Sequence, residues 1–132
     1  MPPDKTQPGS AADWLRRSYS DLSLASIPLP EHVLYNDLCF HAQQAVEKSI
    51  KAVLIHYGIE FRKVHDIDHL LALLPRDVPS PPASDIVVSL TSYAVMARYP
   101  GDYEDILPED YDEAILVARS VYAWAAAVIG QL

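Results

Sequence analysis

Cysteine is nearly absent from this chain: Cys39 is the single one among 132 residues. One thiol excludes an intrachain disulfide framework and a cysteine-rich zinc site. Glycine is scarce as well, at four, which favours a packed helical protein. Long apolar runs are missing. The longest, residues 123–129, falls far short of the roughly 20 needed to cross a bilayer, so no membrane span is expected. The first eight residues, MPPDKTQP, have no apolar stretch of the kind a secretory signal carries. A soluble protein in the reducing cytoplasm is therefore expected. Basic charge is also short: ten Lys and Arg against eighteen Asp and Glu give a net charge of −8. Such a balance disfavours indiscriminate attachment to a nucleic-acid backbone, and no DNA ligand is expected.

What remains is apolar, and it is periodic. Half of the chain is hydrophobic, and its length suits one domain with its own core. Residues 1–9 read as a loose Pro-rich tail and residues 10–132 as a helical domain. Ser10 is placed to cap a first helix running to about Ile27, with Trp14, Leu15, Ser18, Leu22 and Ala25 facing inward. Pro28 and Pro30 end it. A long second helix is expected over residues 31–57, with Gly58 just past its end. Asp66 can cap a short third helix over 67–74, and four prolines between 75 and 82 make a stiff link.

A fourth helix is expected over 83–98, ended by Pro100 and Gly101. Seven acids and no base lie between Asp102 and Glu113, and Pro108 opens a last helix whose first turn is acidic. That helix has two apolar seams, and the second suggests deep burial or a partner helix. The pattern reads as an all-α, antiparallel up-and-down four-helix bundle with one short additional helix.

The second helix carries the sharpest signal. At about 100° per residue, Leu38, Ala42, Ala45, Val46, Ser49, Ala52 and Val53 share one side. Asp37, His41, Gln44, Lys48 and Lys51 line up on another, with Phe40 beside them. An acid, an imidazole, an amide and two amines in one file read as a recognition or assembly face. Asp37, Phe40, His41, Gln44, Glu47 and Lys48 are the candidate dimer surface, where His41, Gln44 and Lys48 pair with their two-fold mates or with Glu47. Cys39 reads as a small buried side chain. His65 and His69 share a helical side but lack a third ligand, so no metal site is expected.

Three segments, taken together and in order, resemble the HEPN domain family: YNDLCFHAQQAVEKSIKA (35–52), HDIDHLL (65–71) and YAVMARYPGDY (93–103). The resemblance spans roughly residues 12–128, and the AQQAxEK core followed by ARYP carries most of it. It implies a helical bundle that usually pairs as a dimer. Many family members are metal-independent ribonucleases, often toxins encoded beside a small nucleotidyltransferase; their signature is an Arg and a His separated by four to six residues. Others lack that signature and are regarded as nucleotide binders or non-catalytic partners.

Here the matching arginine is Arg98, and no histidine follows it: all five, His32, His41, His56, His65 and His69, lie upstream. Tyr103 stands where the histidine could fall, and a phenol with a pKa of about 10 is a poor general base at neutral pH. The resemblance thus implies a non-catalytic, nucleotide-binding or protein-interaction dimer, possible partner of a nucleotidyltransferase in a toxin–antitoxin pair. Arg98, Tyr99, Tyr103, Lys48 and Lys51 are its candidate phosphate and base contacts, and no cofactor is implied. One alternative is a divergent ribonuclease in which Arg98 holds an RNA phosphate and Tyr103 or His41 moves the proton. Another is a structural helical adaptor.

Overall fold

Three long helices and one short one run through the residues that the computed structural model describes, which are 7–64, 66–82 and 106–130. They are α1 (Ala11–Ala25), α2 (Tyr35–His56), α3 (Ile67–Ala72) and α4 (Pro108–Ile129). The chain is an all-α bundle. The helix expected over 83–98 lies outside the described residues, as do His65, Arg98, Tyr99 and Tyr103.

Local chemistry sets the helix ends. The Ser10 hydroxyl accepts the Asp13 N–H at 3.1 Å and opens α1. The Asp66 carboxylate takes the Asp68 and His69 N–H groups at the start of α3. Gly58, at φ +70, and Gly130, at φ +83, follow α2 and α4 in the left-handed region that glycine tolerates. At its beginning α2 departs from expectation, starting four residues later than periodicity suggested. Val33 bonds back to the Pro30 carbonyl, and His32 sits at φ +67, so residues 30–33 form a turn instead of a first helical turn.

α2 lies at the centre. Leu38, Cys39, Ala42, Ala45, Val46, Ile50, Val53 and Leu54 are all buried there. Its alanines let α1 come close: the Ser18 hydroxyl reaches the Ala45 carbonyl at 2.7 Å and the Ser49 hydroxyl at 2.7 Å. α1 runs antiparallel to α2, because Trp14 near its start meets Lys51 and Asp21 near its end meets His41. α4 runs antiparallel to α1: Tyr111, in its first turn, donates to the Ala25 carbonyl at 2.6 Å and packs on Tyr35 at 4.8 Å between ring centres. Farther along, the Trp124 indole N–H donates to the Pro79 carbonyl at 2.7 Å and ties the proline link to α4. No described helix is long and apolar enough to cross a membrane.

Candidate functional site

The polar file of α2 faces α1 along much of its length, and a single carboxylate organises it. Asp21 projects from the third turn of α1 into the seam, where its side chain is nearly buried. Its Oδ1 lies 3.1 Å from His41 Nδ1 and its Oδ2 2.6 Å from Lys48 Nζ. Both contacts are charge-assisted hydrogen bonds when the partners are protonated. The His41 ring keeps about a third of its surface exposed, and Phe40 meets it edge-on at 5.7 Å. With Nδ1 on the carboxylate, Nε2 is the ring nitrogen left for other partners.

The rest of the file goes elsewhere. Glu47 and Lys51 are both buried and 3.6 Å apart, one turn from each other on α2. The Lys51 ammonium stands over the rings of Trp14 and Phe61, 5.4 and 5.5 Å from their centres, a cation–π clamp that turns it into the protein. Gln44 is half-buried and donates to the Gln43 side-chain oxygen at 3.4 Å. Asp37 is exposed at the start of α2. His41 and Lys48 are therefore brought together, Lys51 is held apart from them by the aromatic clamp, and Arg98, Tyr99 and Tyr103 fall outside the described residues.

Sequence reasoning passed over three residues of this region. Asp21 is one; its signal was its place three residues after Ser18 and four before Ala25, both on the inward face of α1. Arg17 is the second. Its Nε donates to Asp13 at 3.1 Å, which leaves the outer guanidinium nitrogens available. Trp14, read as core, is the third. Together with Pro8, Gly9, Asp13 and Lys48, Trp14 and Arg17 line a surface groove of about 360 Å³.

Asp13 anchors this end. The Gly9 N–H and then Arg16 hold its carboxyl down at about 2, well below its usual 3.8. By contrast, burial pushes the Cys39 thiol up to about 12, with Asp110 adding to the effect, so the thiol stays protonated and is no nucleophile. Burial also raises the Tyr111 and Tyr122 phenols.

Comparison with known proteins adds to this geometry. The model of a family described as "HEPN domain" matches residues 11–128. A protein of Methanocaldococcus jannaschii named "Putative toxin MJ1304" is 32% identical over 133 aligned positions, covering 82% of this chain and 80% of its own. The crystal structure of TT1696 from Thermus thermophilus superposes with a TM-score of 0.76 at 29% identity, covering 91% of this chain and 98% of that one. The crystal structure of ST0689, described as an archaeal HEPN homologue, gives 0.64 at 30% identity over the same shares.

Proposed function

This chain belongs to the HEPN domain family, and from that premise we propose that it is a toxin-like HEPN module that binds nucleotide phosphate, as a dimer, without cutting RNA. One observation carries the choice of binding over cutting: no histidine follows Arg98 anywhere in the sequence. The family's cleavage signature needs that imidazole, and Tyr103 is a poor substitute as a base.

Binding falls to the groove beside the α1–α2 seam. Arg17 and Lys48 border it from two different helices, each tethered by a carboxylate, Asp13 and Asp21. Each tether uses only part of the donor set, since a guanidinium has five N–H donors and an ammonium three. Cations held in place in this way receive a phosphate without first having to be ordered. The Trp14 ring lines the same groove and offers a face on which a base can stack. Arg98, Tyr99 and Tyr103 remain the phosphate and base contacts that the family resemblance implies. The name of the M. jannaschii relative supports the toxin-like part of this reading; a small nucleotidyltransferase partner is carried over from the family resemblance.

A second reading, the divergent ribonuclease, has one observation in its favour. Asp21 fixes the His41 ring through Nδ1 and leaves Nε2 outward, the arrangement of an oriented acid–base group. One pair of assays separates the two. Calorimetry with ATP should show binding that weakens about tenfold in Lys48→Ala and in Arg17→Ala. Silence at millimolar nucleotide would end the binding reading. RNA incubated in EDTA should stay intact; cleavage that disappears in His41→Ala would establish the ribonuclease instead.

A further inference from the structure

Two long helices begin on a residue that does not suit the position. An N-cap side chain ordinarily accepts a backbone N–H of the first turn, and leucine has no acceptor atom. Yet Leu34 stands at the N-cap of α2 and Leu107 at that of α4, 52% and 60% exposed. An acid follows three residues on both times, Asp37 and Asp110, where a capping box has its Glu or Gln. Asp110 accepts the Leu107 N–H at 3.4 Å, so half of the reciprocal cap is in place. α1 has the fuller form: Ser10 opens it, Asp13 follows at the same spacing, and the Ser10 hydroxyl accepts the Asp13 N–H.

Because α2 and α4 both run antiparallel to α1, the two leucines stand at one end of the bundle. The Ile106 N–H donates to Asn36 Oδ1 at 3.0 Å and the Tyr35 and Tyr111 rings lie 4.8 Å apart, which holds the two helix starts together. Buried beside them, Asn36 Nδ2 has no hydrogen-bond partner. The connection from α1 reaches the same end. There Ile27, Pro28, Leu29 and Pro30 are exposed in succession, and His32 holds φ +67, a strain that residues other than glycine seldom bear.

We propose that this end of the bundle docks a partner protein, through a segment that presents apolar side chains among lysines or arginines. The surface is separate from the nucleotide groove and does not depend on it. Charge complementarity identifies the occupant. The exposed acids Glu31, Asp37, Glu109, Asp110, Asp112 and Glu113 border the patch. No Lys or Arg occurs between Arg17 and Lys48 or within residues 106–118, so these two segments carry acids without a base to offset them. A second copy joined through this face would bring two acidic rims together, and an anionic lipid surface would be repelled in the same way. A basic segment is drawn by the rim and buries its apolar side chains on Ile27, Leu29, Leu34 and Leu107. Two missing caps, a strained turn and an unpaired amide all cost the free chain stability. They gather where the apolar side chains are exposed, as at a surface kept for function rather than for stability.

The test uses the full chain, isotope-labelled for NMR, and a peptide of about 14 residues with leucine and lysine at helical spacing. The peptide should shift the amides of residues 27–37 and 107–113. Leu34→Ser and Leu107→Ser should each weaken its binding at least about tenfold. Each should also raise the melting temperature by about 3 °C, because serine supplies the missing acceptor. A variant that folds better and binds worse separates docking from folding. The same peptide with serine in place of leucine should bind at least about tenfold more weakly, since charge alone does not fill the patch. Binding that is indifferent to both substitutions, or that shifts amides elsewhere, would overturn the proposal. So would phosphatidylglycerol vesicles that shift the same amides, or a self-association that Leu34→Ser abolishes, because either gives the face a different occupant. ATP affinity at the α1–α2 groove should be equal in both variants, so the nucleotide reading stands or falls on its own.

Discussion

At the scale of single residues, Asp21 has the most consequences, because one carboxylate satisfies two partners on another helix. Its side chain is 12% exposed, whereas Lys48 keeps 26% of its side-chain surface and His41 36%. The cost of removing it is therefore intermediate. A fully buried pair loses about 3–5 kcal/mol when one member goes, and an exposed pair loses less than about 1. Asp21→Ala should lower stability by about 2 kcal/mol, since Lys48 and His41 lose their acceptor yet still reach water. In urea the midpoint should fall at an unchanged slope, which marks lost stability without a change in the surface exposed on unfolding. An unmoved midpoint would mean that the contact only decorates the seam.

At the scale of the element, α1 is held at its beginning by a cluster that titrates in acid. Asp13 accepts from the Gly9 N–H, from Arg16 at 2.8 Å and from Arg17 at 3.1 Å, and its carboxyl sits at about 2 instead of 3.8. The folded state thus binds that proton less readily than the unfolded chain does. The contribution is complete above pH 4 and fades as the pH drops toward 2. Asp13→Asn should flatten the fall in stability between pH 4 and 2 relative to the native chain, as followed by thermal melts across that range; parallel curves would rule the cluster out as an acid-sensitive support. Much of this element was legible in the sequence, because Ser10 as cap and the inward spacing of Leu15, Ser18, Leu22 and Ala25 are local properties. The file on α2 was legible only by angle. Periodicity placed His41 and Lys48 on one side of the helix, but which neighbour covers that side is a matter of tertiary packing. Asp21 took those two, while the Trp14 and Phe61 rings drew Lys51 inward. The late start of α2 was missed for a local reason: His32 adopts a positive φ that neither its hydropathy nor its position announces.

At the scale of the molecule, charge is segregated by length. The acidic opening of α4, with Glu109, Asp110, Asp112 and Glu113, sits where Tyr111 meets Ala25 and Tyr35. Arg17 is eight residues up α1 from Ala25, and Lys48 is thirteen along α2 from Tyr35. At 1.5 Å per residue the groove is about 12–20 Å from that acidic end. The Debye length at physiological ionic strength is about 8 Å, so the acids repel a ligand at the groove only weakly. They do, however, oppose any polyanion long enough to run down the bundle. A net charge of −8 with two tethered cations at the groove therefore favours a short ligand over a long one. The salt dependence of binding tests this directly. Each single-strand phosphate neutralised contributes about −0.7 to the slope of log affinity against log salt. Two phosphates, one for Arg17 and one for Lys48, give a slope of about −1.4, so a tenfold rise in salt should weaken a short oligoribonucleotide about 25-fold. Lengthening the oligonucleotide should leave that slope unchanged. A slope steeper than about −4 would require some six phosphate contacts, more than this groove can supply, and would place the binding surface elsewhere on the molecule.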